Sequence, residues 1–194
     1  MLRLGCAFAL GFLATGAIAA DLPPYGALPP QPVISPQPLA GWEIRAGAMA
    51  HDPSSPERGS ADLNGELLFP RWFAPTDPYW NKFIPRFDVG FPANFAGKTS
   101  NAYAGFAWTF DLWDHFFIEG QLGGAVNNGK TGPVVPPGHN KVGCNWSFHE
   151  SGSVGYRLTQ NWSIMGTIEH FSNAGICTQN RGVTNAGVRV GYQF

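Results

Sequence analysis

The stretch "IEHFSNAGICTQNRG", from Ile168 to Gly182, places a histidine and a serine two residues apart, His170 and Ser172. A serine hydroxyl becomes a competent nucleophile when a neighbouring imidazole takes its proton, which is the core of acyl transfer. That chemistry needs both side chains on one face and a group that orients the imidazole. It also needs hydrogen-bond donors where negative charge develops on the substrate oxygen. Residues i and i+2 of a strand share a face, so His170 and Ser172 are within reach of each other if the segment around them is extended. An H-x-S pair alone is a weak motif, and a strand end decorated with polar residues reads the same way.

The segment is expected to be extended because from Trp42 onward the pattern has a period of two, with turn signals between runs and no convincing helical period. In "KVGCNWSFHESGSVGYRL" (141–158), Val142, Cys144, Trp146, Phe148, Val154, Tyr156 and Leu158 alternate with small or polar residues, and Glu150 is the only charged residue on the apolar face. The run outlasts the ~5–6 residues of an ordinary strand and suits a membrane-spanning one of about 9–11. Comparable runs at 42–51, 61–69, 83–92, 101–111, 115–127, 161–172 and 183–194 make eight. An even number closes an up-and-down barrel with both ends on one side. The expected fold is therefore all-β: an eight-stranded antiparallel up-and-down transmembrane β-barrel over residues 42–194.

Connection lengths agree with short periplasmic turns and long outer loops. The turns after strands four and six are short, whereas 128–140 and 173–182 are longer; 70–82, "PRWFAPTDPYWNK", is long where a short turn is expected. Trp42, Phe83, Trp113, Phe116, Trp162, Tyr192 and Phe194 fall near the periplasmic strand ends, as an interfacial aromatic girdle would. A soluble barrel such as a lipocalin shows the same alternation with the opposite polarity, so parity alone does not separate the two.

Residues 1–20, "MLRLGCAFALGFLATGAIAA", read as a secretory signal peptide with a cleavage site of the A-x-A kind. Residues 21–41 hold seven prolines and read as an extended periplasmic tether. With 13% charged residues, 14% aromatics and a net charge of −1, the chain has no basic footprint for nucleic acid and is not disordered throughout. No cofactor motif and no metal-ligand spacing is present. A porin fits poorly, because eight strands leave an interior filled by side chains. After cleavage Cys144 and Cys177 remain; a disulfide is the leading reading for an exported protein, and two separate thiols the other.

On strand seven Trp162, Ile164, Ile168, His170 and Ser172 share what would be the lipid face, with the pair near the outer rim. "EHFSNAG" (169–175), followed by "NRGVTNAGVRVGYQF" (180–194), resembles the lipid A 3-O-deacylase family of outer-membrane barrel hydrolases, most specifically over 162–194. The resemblance implies that His170 is the general base and Ser172 the nucleophile, acting on an ester-linked acyl chain of lipid A in lipopolysaccharide. It also implies that Asn173, Gly175 and Asn180 lie near the oxyanion site. The family's glutamate, fourteen residues after the histidine, is replaced by Thr184, which can accept a hydrogen bond but cannot hold a charge against imidazolium.

A tight turn around Thr159–Asn161 that sets Leu158 against Trp162 would place Glu150 directly opposite His170, making Glu150 the candidate acid. A rim glutamate bound to headgroups or to an interfacial cation is the other reading of that residue. The function expected is an outer-membrane serine ester hydrolase removing the 3-O acyl chain of lipid A. The alternative is a catalytically silent small barrel with a lipid-binding or envelope-structural role. A homo-oligomer is compatible with either.

Overall fold

The computed structural model describes residues 41–194; the expected signal peptide (1–20) and all of the expected tether (21–41) except Gly41 lie outside the described residues. Eight strands form a closed barrel in sequence order: β1 Glu43–His51, β2 Ser60–Leu68, β3 Arg86–Asn94, β4 Asn101–Asp111, β5 Phe116–Asn127, β6 Trp146–Arg157, β7 Trp162–Ser172 and β8 Val183–Gln193. Every neighbouring pair is antiparallel, and β8 returns to β1 with Ile44 facing Tyr192. The first and last strands thus satisfy each other's backbone groups and leave no edge.

Polarity decides what kind of barrel this is. The inward positions carry Glu43, Arg45, Glu66, Arg86, Asp88, Tyr103, Glu119, Gln121, His149, Glu169 and Arg189, all buried. The outward positions carry apolar side chains; Leu63 is 58% exposed and Val154 61%, whereas Arg189 is 0% exposed. A soluble barrel has the reverse arrangement, so lipid is the solvent this outer surface fits. The interior is held by paired charge. Arg45 grips Glu119 with two N–H groups at 2.5 and 2.9 Å and reaches Glu43 at 2.7 Å. Arg86 donates to Glu43 at 2.5 Å, and Arg189 to Glu169 at 2.6 Å. Tyr103 donates to Glu66 at 2.9 Å and stacks on His149 with ring centroids 3.9 Å apart. Gly90 is required there, because a Cβ would fall 2.2 Å from the Tyr103 ring.

Both described chain ends lie at one end of the barrel, here the terminal end: Phe194 N–H donates to the Trp42 carbonyl, and Gln193 N–H to that of Asn161. Trp42, Phe83, Trp113, Phe116, Trp162 and Phe194 are all exposed, as the aromatic girdle requires. The opposite, loop end carries the connections after β1, β3, β5 and β7.

Two expectations need correction. Strand six begins at Trp146, not at 141. Gly143 adopts φ 84, a left-handed conformation outside the strand range, and residues 141–145 belong to the outer loop. Strand three begins at Arg86 rather than 83, because the connection Phe69–Pro85 contains a helical turn, α1 Pro78–Asn81, capped by Asp77 through Tyr79 N–H at 2.8 Å.

Removing one partner from the interior network leaves buried charge uncompensated, at a cost of about 3–5 kcal/mol. Arg45→Met should therefore lower unfolding stability by that amount in urea titrations of the barrel in lipid vesicles. The double variant Arg45→Met/Glu119→Leu should recover much of the loss; equal stability of Arg45→Met and wild type would refute the role given to Arg45.

Candidate active site

His170 and Ser172 end β7 on its outward face, both half-buried. Alternation places them there: Phe171 between them points inward and is 1% exposed. The imidazole is held from β8. His170 pairs with Thr184 across the ladder, and His170 Nδ1 lies 2.8 Å from Thr184 Oγ1. When Nδ1–H donates to that hydroxyl, Nε2 carries the free lone pair, the tautomer a general base needs. Gly182 backs the other edge of the ring, where a Cβ would fall 2.6 Å from Cε1 and 2.9 Å from Nε2. Only glycine leaves the imidazole its place. Nothing in the sequence pattern marked Gly182 for this, since the close approach is made between two strands and a loop.

Glu150 lies directly opposite His170 in the β6–β7 register, and Phe148 opposite Ser172. Its carboxylate is exposed and makes no hydrogen bond among the described residues. The ring partner is therefore Thr184, with Glu150 one cross-strand step away. Ser172 Oγ and His170 Nε2 are likewise without a hydrogen bond to each other; catalytic hydrogen bonds commonly tighten only when substrate arrives.

The loop after β7 is built around Asn173, which is 1% exposed. Its Nδ2 donates to the carbonyls of Val142 and Gln179, both at 2.7 Å. Its Oδ1 accepts from the N–H of Gly175 at 3.0 Å, and its own N–H donates to Asn180 Oδ1 at 2.9 Å. The donors of Asn173 and Gly175 are thus engaged inside the loop, whereas the side-chain amide N–H groups of Asn180 remain unengaged among the described residues. A disulfide joins Cys144 to Cys177, tying this loop to the segment before β6.

Beneath the pair a groove of about 460 Å³ opens on the outer surface, lined by His170, Thr184, Glu150, Ile168, Leu122 and, farther along, Trp108 and Phe110. Its bottom is made by Gly152 and Gly120, which face each other across β5 and β6 and have open space where a Cβ would stand. The groove is an apolar channel leading away from His170, with Ser172 one outward position farther toward the rim.

The outer loops are locked to the site through two carboxylates. Asp52, at φ 35, accepts Thr184 N–H at 3.3 Å and the Asn140 amide at 2.5 Å. Glu57 accepts from the Thr99 N–H and hydroxyl at 3.0 and 2.9 Å, from Asn140 N–H at 2.9 Å, and meets His51 Nε2 at 2.9 Å. Burial pushes the Glu57 carboxyl up, but these hydrogen bonds outweigh it and bring it from 4.5 down to about 2. A lowered native value stabilises the loop assembly above pH 4.5, and that contribution is lost as pH falls through about 2. Exchange protection of the Thr99 and Asn140 amides, corrected for intrinsic rates, should fall across that window in wild type. Glu57→Gln should have lower protection at neutral pH and show no such titration; a flat wild-type profile would contradict the assignment.

A model of the lipid A 3-O-deacylase (PagL) family matches residues 69–193 of the chain. Among solved structures, the crystal structure of the outer membrane enzyme PagL is similar with a TM-score of 0.61 at 17% identity, covering 78% of this chain and 99% of that one. The N-terminal β-barrel domain of Pseudomonas aeruginosa OprF follows at TM-score 0.54 and 11% identity, covering 80% of this chain and 98% of that one. A de novo designed transmembrane β-barrel has TM-score 0.53 at 11% identity, with 82% and 100% covered. No curated protein matches the chain.

Proposed function

The chain belongs to the lipid A 3-O-deacylase family and is an outer-membrane barrel, and from that premise we propose that His170 and Ser172 hydrolyse the 3-O acyl ester of lipid A at its outer rim. The observation that carries this reading is their placement: both project from the lipid-facing surface, with His170 lining the head of an apolar groove, Ser172 next to it toward the rim, and the imidazole held by Thr184. An ester buried in the outer leaflet reaches such a site by lateral diffusion, with its acyl chain lying along the groove.

In the reaction, Ser172 Oγ attacks the ester carbonyl while His170 Nε2 takes the hydroxyl proton. The tetrahedral oxyanion collapses, the C–O bond to the sugar breaks, and His170 returns the proton to the departing sugar hydroxyl. Water, deprotonated by the same nitrogen, then attacks the acyl carbon, the bond to Ser172 Oγ breaks to release the fatty acid, and His170 returns the proton to Ser172 Oγ. For the oxyanion we assign the free side-chain amide of Asn180, with Asn173 and Gly175 holding the loop in shape.

The family's acid is divided here between two residues. Thr184 holds the angle of the ring and accepts Nδ1–H in the reactive tautomer, but is neutral. Glu150, whose Cβ sits about 4.5–5.5 Å from that of its cross-strand partner, supplies the negative charge that stabilises imidazolium. In surroundings poorer in water than bulk solution, that field is stronger. The competing reading, a catalytically silent barrel that binds lipid, draws on Nδ1 having a neutral hydroxyl, and no charged group, as its partner among the described residues.

Mass spectrometry of lipid A from membranes carrying wild type or Ser172→Ala separates these readings. Loss of one 3-O acyl chain with wild type and none with the variant is expected; identical lipid A, with both barrels folded, rules out the hydrolase. Glu150→Gln should lower kcat about 10- to 100-fold, and Thr184→Glu in that background should restore most of it. If Glu150→Gln keeps full activity, Glu150 has no part in charging the ring.

A further inference from the structure

The Phe69–Pro85 connection is long where a tight turn would close β2 to β3, and it is folded back onto the barrel. Trp72 packs against Phe87 and Phe106, with ring centroids 6.1 and 6.3 Å apart. Phe83 lies 6.0 Å from Phe110, and its carbonyl accepts the Trp108 indole N–H at 3.1 Å. Phe106, Trp108 and Phe110 share the outward face of β4. The connection therefore climbs over the lipid-facing surface instead of hanging below the barrel. Arg71 holds its shape, donating to the Asn81 carbonyl at 2.9 Å.

Two of the residues it touches, Trp108 and Phe110, also line the groove. The ladder gives the groove a direction. His170 stands near the loop end of β7; Gly152 and Gly120 follow across β6 and β5; Trp108 faces Gly120 from β4, close to that strand's terminal end. The channel thus descends from the rim toward the membrane interior and meets an aromatic wall. Three inter-strand steps make about 14 Å across the strands, and Ser172 stands four residues beyond Ile168, the β7 partner of Gly152, which adds about 13 Å along them; the diagonal of about 20 Å is the extended length of on the order of fifteen carbons.

We propose that the 69–85 connection sets the length of acyl chain this enzyme accepts, with Phe83 bracing Trp108 and Phe110 as the floor of the groove. The proposal rests on the groove being the acyl seat of the hydrolase described above. A chain that ends at the floor fills the channel and places its ester at Ser172. A longer one must leave the groove or displace the aromatic rings. One methylene too many or too few in an apolar site changes kcat/KM by about 10- to 200-fold, and a groove open to lipid on one side lies at the low end of that range.

The test uses the full barrel in phospholipid vesicles with lipid A bearing a 3-O chain of about fourteen carbons, which ends at the floor, or about twenty, which overruns it. Wild type should prefer the short chain, and Phe83→Ala and Phe110→Ala should each raise the long-to-short ratio of kcat/KM about tenfold. A general loss of folding would lower both values together and leave the ratio alone. A second measurement does not depend on turnover: in Ser172→Ala, the short-chain lipid A carrying a photoactivatable group at its chain end should label Trp108, Phe110 or Phe83. Labelling elsewhere, or an unchanged ratio in both variants, overturns the floor. Labelling at the floor without hydrolysis by wild type would retain the floor and remove the hydrolase.

Discussion

The structure depends on the inward charge of the barrel. Three guanidinium groups, Arg45, Arg86 and Arg189, meet Glu43, Glu66, Glu119 and Glu169 in a space closed to solvent. Because the interior is filled and largely polar, it offers no seat for an acyl chain, and most of the strands' large apolar residues face outside. A lipid-directed site must then be built on the outer surface. There, side chains alternate outward only every second residue, and the depth of any depression is set by which of them are missing. Gly120 and Gly152 supply that absence, and the groove follows from it.

The same constraint shapes how the imidazole is held. On a lipid face, an unpaired polar group is expensive, so Nδ1 has a partner in Thr184 on the neighbouring strand. A neutral hydroxyl satisfies the ring at rest and costs less to keep beside lipid than a carboxylate would. The proposed charge sits across the other ladder, on Glu150, near the rim where headgroups and water are available. Thr184 is in turn fixed by Asp52, and Asp52 by Asn140, so the outer loops and the ring share one hydrogen-bonded assembly. Glu57 gathers the loops after β1, β3 and β5 into that assembly, and the Asn173 hydrogen bonds and the disulfide close the loop after β7.

The sequence by itself determined the strands, their number, the face on which His170 and Ser172 stand and the pairing of Glu150 with His170. Each of these is local: alternation is a property of consecutive residues, and a tight turn at Thr159–Asn161 propagates its register along two strands. The tertiary structure decided the rest. Whether the charged face points in or out is a question of closure, since parity is the same for both. Thr184 reaches Nδ1 only because β8 pairs with β7 after a ten-residue loop whose path is set by Asn173 and Gly143. The groove joins residues of β4 through β8, and the connection packed against Trp108 and Phe110 carries aromatic residues with no pattern to reveal that they fold upward. Residues 141–145 alternate as a strand would, yet a left-handed glycine and a disulfide hold them in the loop. Long-range contacts, made between segments far apart in sequence, carry no period of their own, which is why they became visible only in the folded chain.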